Sequence, residues 1–303
     1  MPLPTGEQFE ISHGGLHVAV TEIGATLRSF RVGEMEILDT FGPEELGGFS
    51  RGQVLLPFPN RIDGGIYQFD GRKHQLPLTE PERNNAIHGL TRWLNWTPLQ
   101  KTGSSITLGH RLHPQEGYPF TLDLGLEYTL SSKGLAITTT ASNAGAEPLP
   151  FGAGYHPYFT VGTPFVDTTR LRIPAASYLE PDERLIPTGR SSVEGTDLDF
   201  REEREIGGVE LDTCYADVIP SDDGYTYVTL TNPGSGFTIT VWMDGKHGFI
   251  QAYSGDTVLE TDRRRSIAIE PMTCAPNAFN TGVGLRVIEP GESFTSAWGI
   301  SAG

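Results

Sequence analysis

Between residues 121 and 130 the chain reads TLDLGLEYTL, and polarity flips at every position. Leu122, Leu124, Leu126, Tyr128 and Leu130 fall on one side, with Thr121, Asp123, Gly125, Glu127 and Thr129 on the other. That is the period of a half-buried antiparallel strand. A SSKG turn leads into a second such run, GLAITTTASN. YVTLTNPGSGFTITVWMDG reads as two strands around an Asn-Pro-Gly-Ser-Gly turn, with Phe237, Ile239 and Val241 on one face. GLHVAVTEIG, GIYQFDG and GFIQAYSG follow the same scheme, and no long window carries clean helical periodicity. The pattern predicts an all-β sandwich of many strands, a class that often exceeds 200 residues as one unit, so we take residues 1–303 as a single domain. The charged stretch 180–208 has weak alternation and reads as a long surface excursion.

Composition narrows the partner. Thirty-seven glycines and twenty-two prolines suit a chain that reverses often. A formal charge of −16 disfavours nucleic acid and anionic membranes and points to a small, neutral partner. The N-terminal residues carry neither a basic nor an apolar leader region and no stretch matches a membrane span, so cytoplasmic residence is expected. Cys214 and Cys274 are too few for a disulfide framework and read as buried thiols. No HxH, HxxxH or HExxH spacing, phosphate loop or GxSxG elbow is present, so neither metal nor cofactor is expected.

The informative positions are polar residues in apolar surroundings. Glu270 follows Ile267, Ala268 and Ile269 and precedes Pro271, which places it at the end of an apolar strand. A carboxylate there is costly unless it is paired or functional. His156, in PFGAGYHPYF, sits among rings that suit either a filled core or a sugar site. His88, in NNAIHGL, reads as a strand histidine or half of a chemical device, and Arg61, after PFPN, as a loop tie or a ligand. Asp212, in VELDTCY, is a weaker fifth candidate.

Taken together, PFPNRIDGGIYQFDG, HQLPLTEPERNNAIHG, GAGYHPYF, LIPTG, IEPMTCAPNAFNTG and the closing IEPGESFTSAWGI resemble the aldose 1-epimerases, also called galactose mutarotases, over nearly the whole chain. The resemblance implies a large antiparallel β-supersandwich with an open sugar cleft and a monosaccharide partner, as a monomer or weak homodimer. It implies Glu270 as base, His156 as acid, and Arg61, His88 and Asp212 as sugar ligands. Anomer exchange needs one base and one acid, so an ionised Glu270 and a protonated His156 are expected, the latter with its pKa held at or above about 6.5 by nearby carboxylates. Rival readings are a hexose-phosphate mutarotase using Arg83, Arg92 or the arginines of TDRRRS (261–266), a glycoside hydrolase with Glu270 and Asp212 as its carboxylates, and a non-catalytic sugar-binding protein. The thiols, two and four residues past Asp212 and Glu270, are expected near the cleft, where alkylation would inactivate.

Overall fold

The structure is a computed structural model and describes residues 2–303. Two large antiparallel sheets dominate. The nine-stranded sheet runs, in spatial order, Thr97–Lys101, Ser105–Leu112, Leu122–Ser131, Gly134–Asn143, Ser293–Ala302, Thr238–Met243, Thr226–Thr231, Arg170–Arg172 and Arg204–Glu205. The alternation read from the sequence sets its faces. Leu122, Leu124, Leu126, Tyr128 and Leu130 are all buried, and the register puts them opposite Asn143, Ala141, Thr139, Ile137 and Leu135, so apolar side chains meet on one face. Ile239 and Val241 are buried on the same scheme, with Phe237 packed against the core.

The second sheet carries Asp212 and Glu270 and leads into His156. Its order is Pro187–Ser192, Ala175–Pro181, Asp212–Val218, Phe249–Tyr253, Ile267–Met272, Gly154–Tyr155 and Val54–Leu55, with Tyr158–Phe159 also pairing to Ile267–Met272. Ile267–Met272 is central and buried throughout, which explains its unbroken apolar run. Four strands, Gln8–His13, Leu16–Thr21, Leu27–Val32 and Met35–Glu36, form a third sheet. The buried Thr139 hydroxyl bonds the Tyr155 hydroxyl, and the Tyr155 ring lies 4.9 Å from that of Trp298. The nine-stranded sheet thereby braces the strand that leads to His156. Among the described residues no helix is long and apolar enough to cross a membrane.

Two expectations need correction. The stretch 180–208, expected as a long surface excursion, contributes to both large sheets: Pro187–Ser192 pairs with Ala175–Pro181 as an edge hairpin of the second, and Arg204–Glu205 pairs with Arg170–Arg172 at the edge of the first. Pro187–Ser192, PTGRSS, is an edge strand that buries no large apolar side chain, so its sequence carries no apolar alternation to read. Nor does Glu270 end its strand, because Pro271 stays in register opposite Ile250. Ile269 and Thr273 donate their N–H groups to the 153–157 side, so residue 271 faces that side too, and proline has nothing to donate there. The ladder is interrupted at that point, where His156 leaves it.

Candidate active site

One ribbon explains why two distant motifs meet. Arg61–Asp63 pairs with Asn85–Ile87, Arg61 opposite Ile87, and the His88 N–H donates to the Asn60 carbonyl at 2.9 Å. Arg61 and His88 thus emerge side by side. His88 takes φ 63°, a left-handed backbone that turns its ring out of the strand plane. The second sheet supplies the opposite wall: Gln251 lies directly across from both Glu270 and Cys214, and Asp212 across from Tyr253. Arg61, His88, His156, Asp212 and Glu270 all line one cleft of about 260 Å³.

At its floor the His156 Nε2 lies 3.4 Å from the Glu270 Oε1, with only 8% and 2% of the two side chains exposed. His156 Nδ1, Glu270 Oε2 and His88 Nδ1 are buried without a hydrogen-bond partner within the protein. The His88 and His156 rings form a T-shaped pair with centres 5.2 Å apart, and Tyr158 stacks on the His156 imidazole at 5.0 Å and 22°, so two neighbouring rings fix the acid candidate.

Burial governs protonation here, and this corrects the expected charge states. Burial, reinforced by the Asp212 charge, pushes the Glu270 carboxyl well above the usual carboxylate range despite Arg61. Burial also lowers His156 to about 3, with the Arg92 and Arg61 charges acting in the same direction. At this depth the two groups favour their neutral forms, not carboxylate and imidazolium. Nearby carboxylates do not hold His156 protonated, because desolvation outweighs a single opposite charge in a dry site. His88 is likewise driven well down by burial and by His156.

Around this pair the polar groups are tightly bonded. Arg61 donates through Nε and Nη2 to the Glu80 carboxylate at 2.8 and 2.9 Å, and Glu80 also accepts from Arg83 and Asn85, each at 3.1 Å. Gln251 donates to Asp212 at 2.7 Å and accepts from Asn60 at 3.4 Å. The Asp212 carboxylate opens to the cleft yet is recessed, and desolvation holds its pKa up against Arg61 and Gln251.

Sequence reading missed Asn60, Glu80, Gln251 and Tyr158. Gln251 is a polar residue inside the apolar run FIQAY, the same signal that exposed Glu270, and Glu80 lies within a motif already quoted. Arg263, Arg264 and Arg265 do not line the cleft: Arg264 pairs with Asp256 and Asp167, and Arg263 reaches only Glu210. Cys214 borders a small void under Asp212 and Gln251, so it is near the cleft as expected. Both thiols are buried, and burial raises Cys214 well above its ordinary value and Cys274 to about 12. Ready alkylation is therefore not supported. Among the described residues no group of three His, Cys, Asp or Glu side chains converges as a metal site.

A sequence profile described as aldose 1-epimerase matches residues 7–301. The uncharacterized protein YihR of Escherichia coli (strain K12) is 32% identical over 95% of this chain and 91% of its own. Galactose mutarotase of Rattus norvegicus is 31% identical over 68% of this chain and 64% of its own. In fold, a crystal structure of the GalM/aldose epimerase homologue from C. elegans matches with a TM-score of 0.87 at 19% identity, covering 98% of each chain.

Proposed function

The chain belongs to the aldose 1-epimerase family, and from that membership and the cleft geometry we propose that one domain, residues 1–303, interconverts the α and β anomers of a free hexose such as galactose or glucose without a cofactor. The observation that carries the reading is the buried contact of 3.4 Å between His156 Nε2 and Glu270 Oε1. Between them the two groups hold one exchangeable proton. With it on Glu270 the pair is neutral; with it on His156 the pair is carboxylate and imidazolium, at no change in net charge. A bound sugar supplies the hydroxyls and ring oxygen that favour the second form.

Glu270 then takes the proton of the anomeric hydroxyl while His156 gives its own to the ring oxygen. The bond between C1 and the ring oxygen breaks, and C1 becomes an aldehyde. Rotation about C1–C2 presents the other face, the ring oxygen attacks C1, and both protons return. Acid and base contribute roughly 10² to 10⁴ each. Arg61, His88, Asp212 and Gln251 surround the pair as hydroxyl ligands and hold the ring over it, with the anomeric hydroxyl toward Glu270 and the ring oxygen toward His156.

A neutral sugar is favoured because the cleft-lining cations Arg61 and Arg83 are both engaged by Glu80. One observation favours a second reading, an aldose bearing an anionic group such as phosphate. Arg92, behind the wall formed by Ser50 and Ile87, donates only to neutral oxygens of Ser50, Gln53 and Ile87. Polarimetry on freshly dissolved α-glucose, α-galactose and a hexose phosphate separates the two. An optical rotation that drifts at the uncatalysed rate for every sugar refutes the epimerase reading, whereas release of new reducing ends from disaccharides would support a hydrolase.

A further inference from the structure

We propose that Phe49 is an aromatic platform on which the apolar C–H face of the bound sugar rests, held there at the expense of a strained backbone. The proposal rests on the sugar-cleft reading above and adds a binding residue to it. Backbone strain is concentrated in this cleft: eleven non-glycine residues have positive φ among those described, and Phe49, Ser50, Asn60, His88 and Leu185 all line it. Such outliers persist where surrounding structure over-determines them, and they cluster at ligand clamps.

Asn60 and His88 have polar side chains of types that tolerate this region. Phe49, at φ 55° and ψ 29°, has a bulky one. Local sequence does not demand it. Gly47 and Gly48 immediately precede, yet neither takes a positive φ. Core packing does not demand it either, because Phe49 is 40% exposed. Packing in the core therefore does not offset the strain, and the residue lines the cleft.

Its position is set by a column of groups. The Arg51 guanidinium carbon lies 5.3 Å from the Phe49 ring centre and 5.9 Å from that of Tyr158, and Tyr158 stacks on His156. Arg51 is itself fixed by Asp39 at 3.0 Å and Asp262 at 3.2 Å. Phe49 is thus registered against the proposed acid through two intermediates. Tyr158 and Tyr253 bring further aromatic surface to the cleft, but Phe49 alone of the three sits on an exposed rim. A pyranose presents hydroxyls around its edge and C–H groups on a face, and a flat ring matches the latter.

The test uses F49A, F49G and F49W in the full chain. F49G removes the ring and the left-handed penalty together, whereas F49W keeps an aromatic face. KM for anomer exchange is measured by polarimetry, Kd for galactose and glucose by calorimetry, and the melting temperature by scanning calorimetry. F49A and F49G are expected to raise KM and Kd about tenfold, the loss of one aromatic contact, with kcat within about threefold of the parent. F49G melts at or above the parent temperature, and F49W stays within about threefold of the parent KM. Unchanged KM and Kd in F49G would overturn the platform, as would a melting temperature well below the parent, which would mark the ring as a structural prop. A parent that binds sugar without exchanging anomers, with weakened binding in F49G, overturns the epimerase reading and keeps the platform. A parent that does neither overturns both.

Discussion

Replacing Glu80 by glutamine tests whether the cleft is built on a fixed Arg61. Four donors converge on this carboxylate: Arg61 Nε and Nη2, Arg83 Nη1 and Asn85 Nδ2. The Arg61 and Glu80 side chains are only 11% and 7% exposed, so solvent screens the pair little. Glutamine keeps one acceptor oxygen and turns an N–H₂ group toward a guanidinium. Removing one partner of a buried pair costs about 3–5 kcal/mol, and with one acceptor retained we take about 2.5 kcal/mol. At about 2.1 cal/mol/K per residue the unfolding entropy is about 0.6 kcal/mol/K for this chain, so the melting temperature should fall about 4 °C at pH 7. Burial alone would raise the Glu80 pKa, but the Arg61 hydrogen bond and charge, with Asn85 and Arg83, bring it below the ordinary 4.5. A depressed carboxylate stabilises above its unfolded pKa and loses that contribution as pH falls through the folded value. The gap between parent and E80Q should therefore shrink below about pH 4. A released Arg61 should also raise KM about tenfold, while kcat changes less. Scanning calorimetry at about pH 7 and about pH 3, with polarimetric KM, reads all three. A shift under 1 °C at pH 7, or a lower melting temperature with unchanged KM, would refute the view that Glu80 positions a sugar ligand.

Four further outcomes follow from the buried groups. E270Q should lower kcat by at least about 10² while sugar still binds by calorimetry. It should also melt higher than the parent at pH 8 but not at pH 4, because burial and Asp212 raise the folded pKa of Glu270, so the parent loses stability as pH climbs above the unfolded value of about 4.5. His88 and His156 have lowered pKa values from burial first, and each takes up a proton on unfolding below about 6.5. Parent stability should fall from about pH 6.5 toward 3, and less steeply in H88N; equal slopes by denaturant titration would refute the burial argument. The rate of anomer exchange should be bell-shaped in pH, with apparent pKa values that belong to the pair. Native protein should resist iodoacetamide at pH 7.5, with both thiols labelled only after denaturation, as read by intact mass; rapid native labelling of Cys214 would contradict its burial.

Much of the fold was legible in the sequence because strand faces are written locally. Alternation from Leu122 to Leu130 assigned a buried face that the structure keeps, and the apolar run before Glu270 marked a strand, although only the structure shows that it continues to Met272 and is buried throughout. Polar residues in apolar company identified Glu270, and the resemblance of several motifs together identified His156, Arg61, His88 and Asp212; these five share one cleft. What sequence could not determine is anything set by distance across the sandwich. That Arg61 is clamped by Glu80, that Gln251 bonds Asp212, that the 182–186 turn brings Leu185 to the cleft, and that Phe49 is strained at its rim all depend on segments far apart in the chain. The charge states of Glu270 and His156 belong to the same class. Sequence supplies which charges exist, but only packing decides how much water is removed from them, and desolvation dominates here.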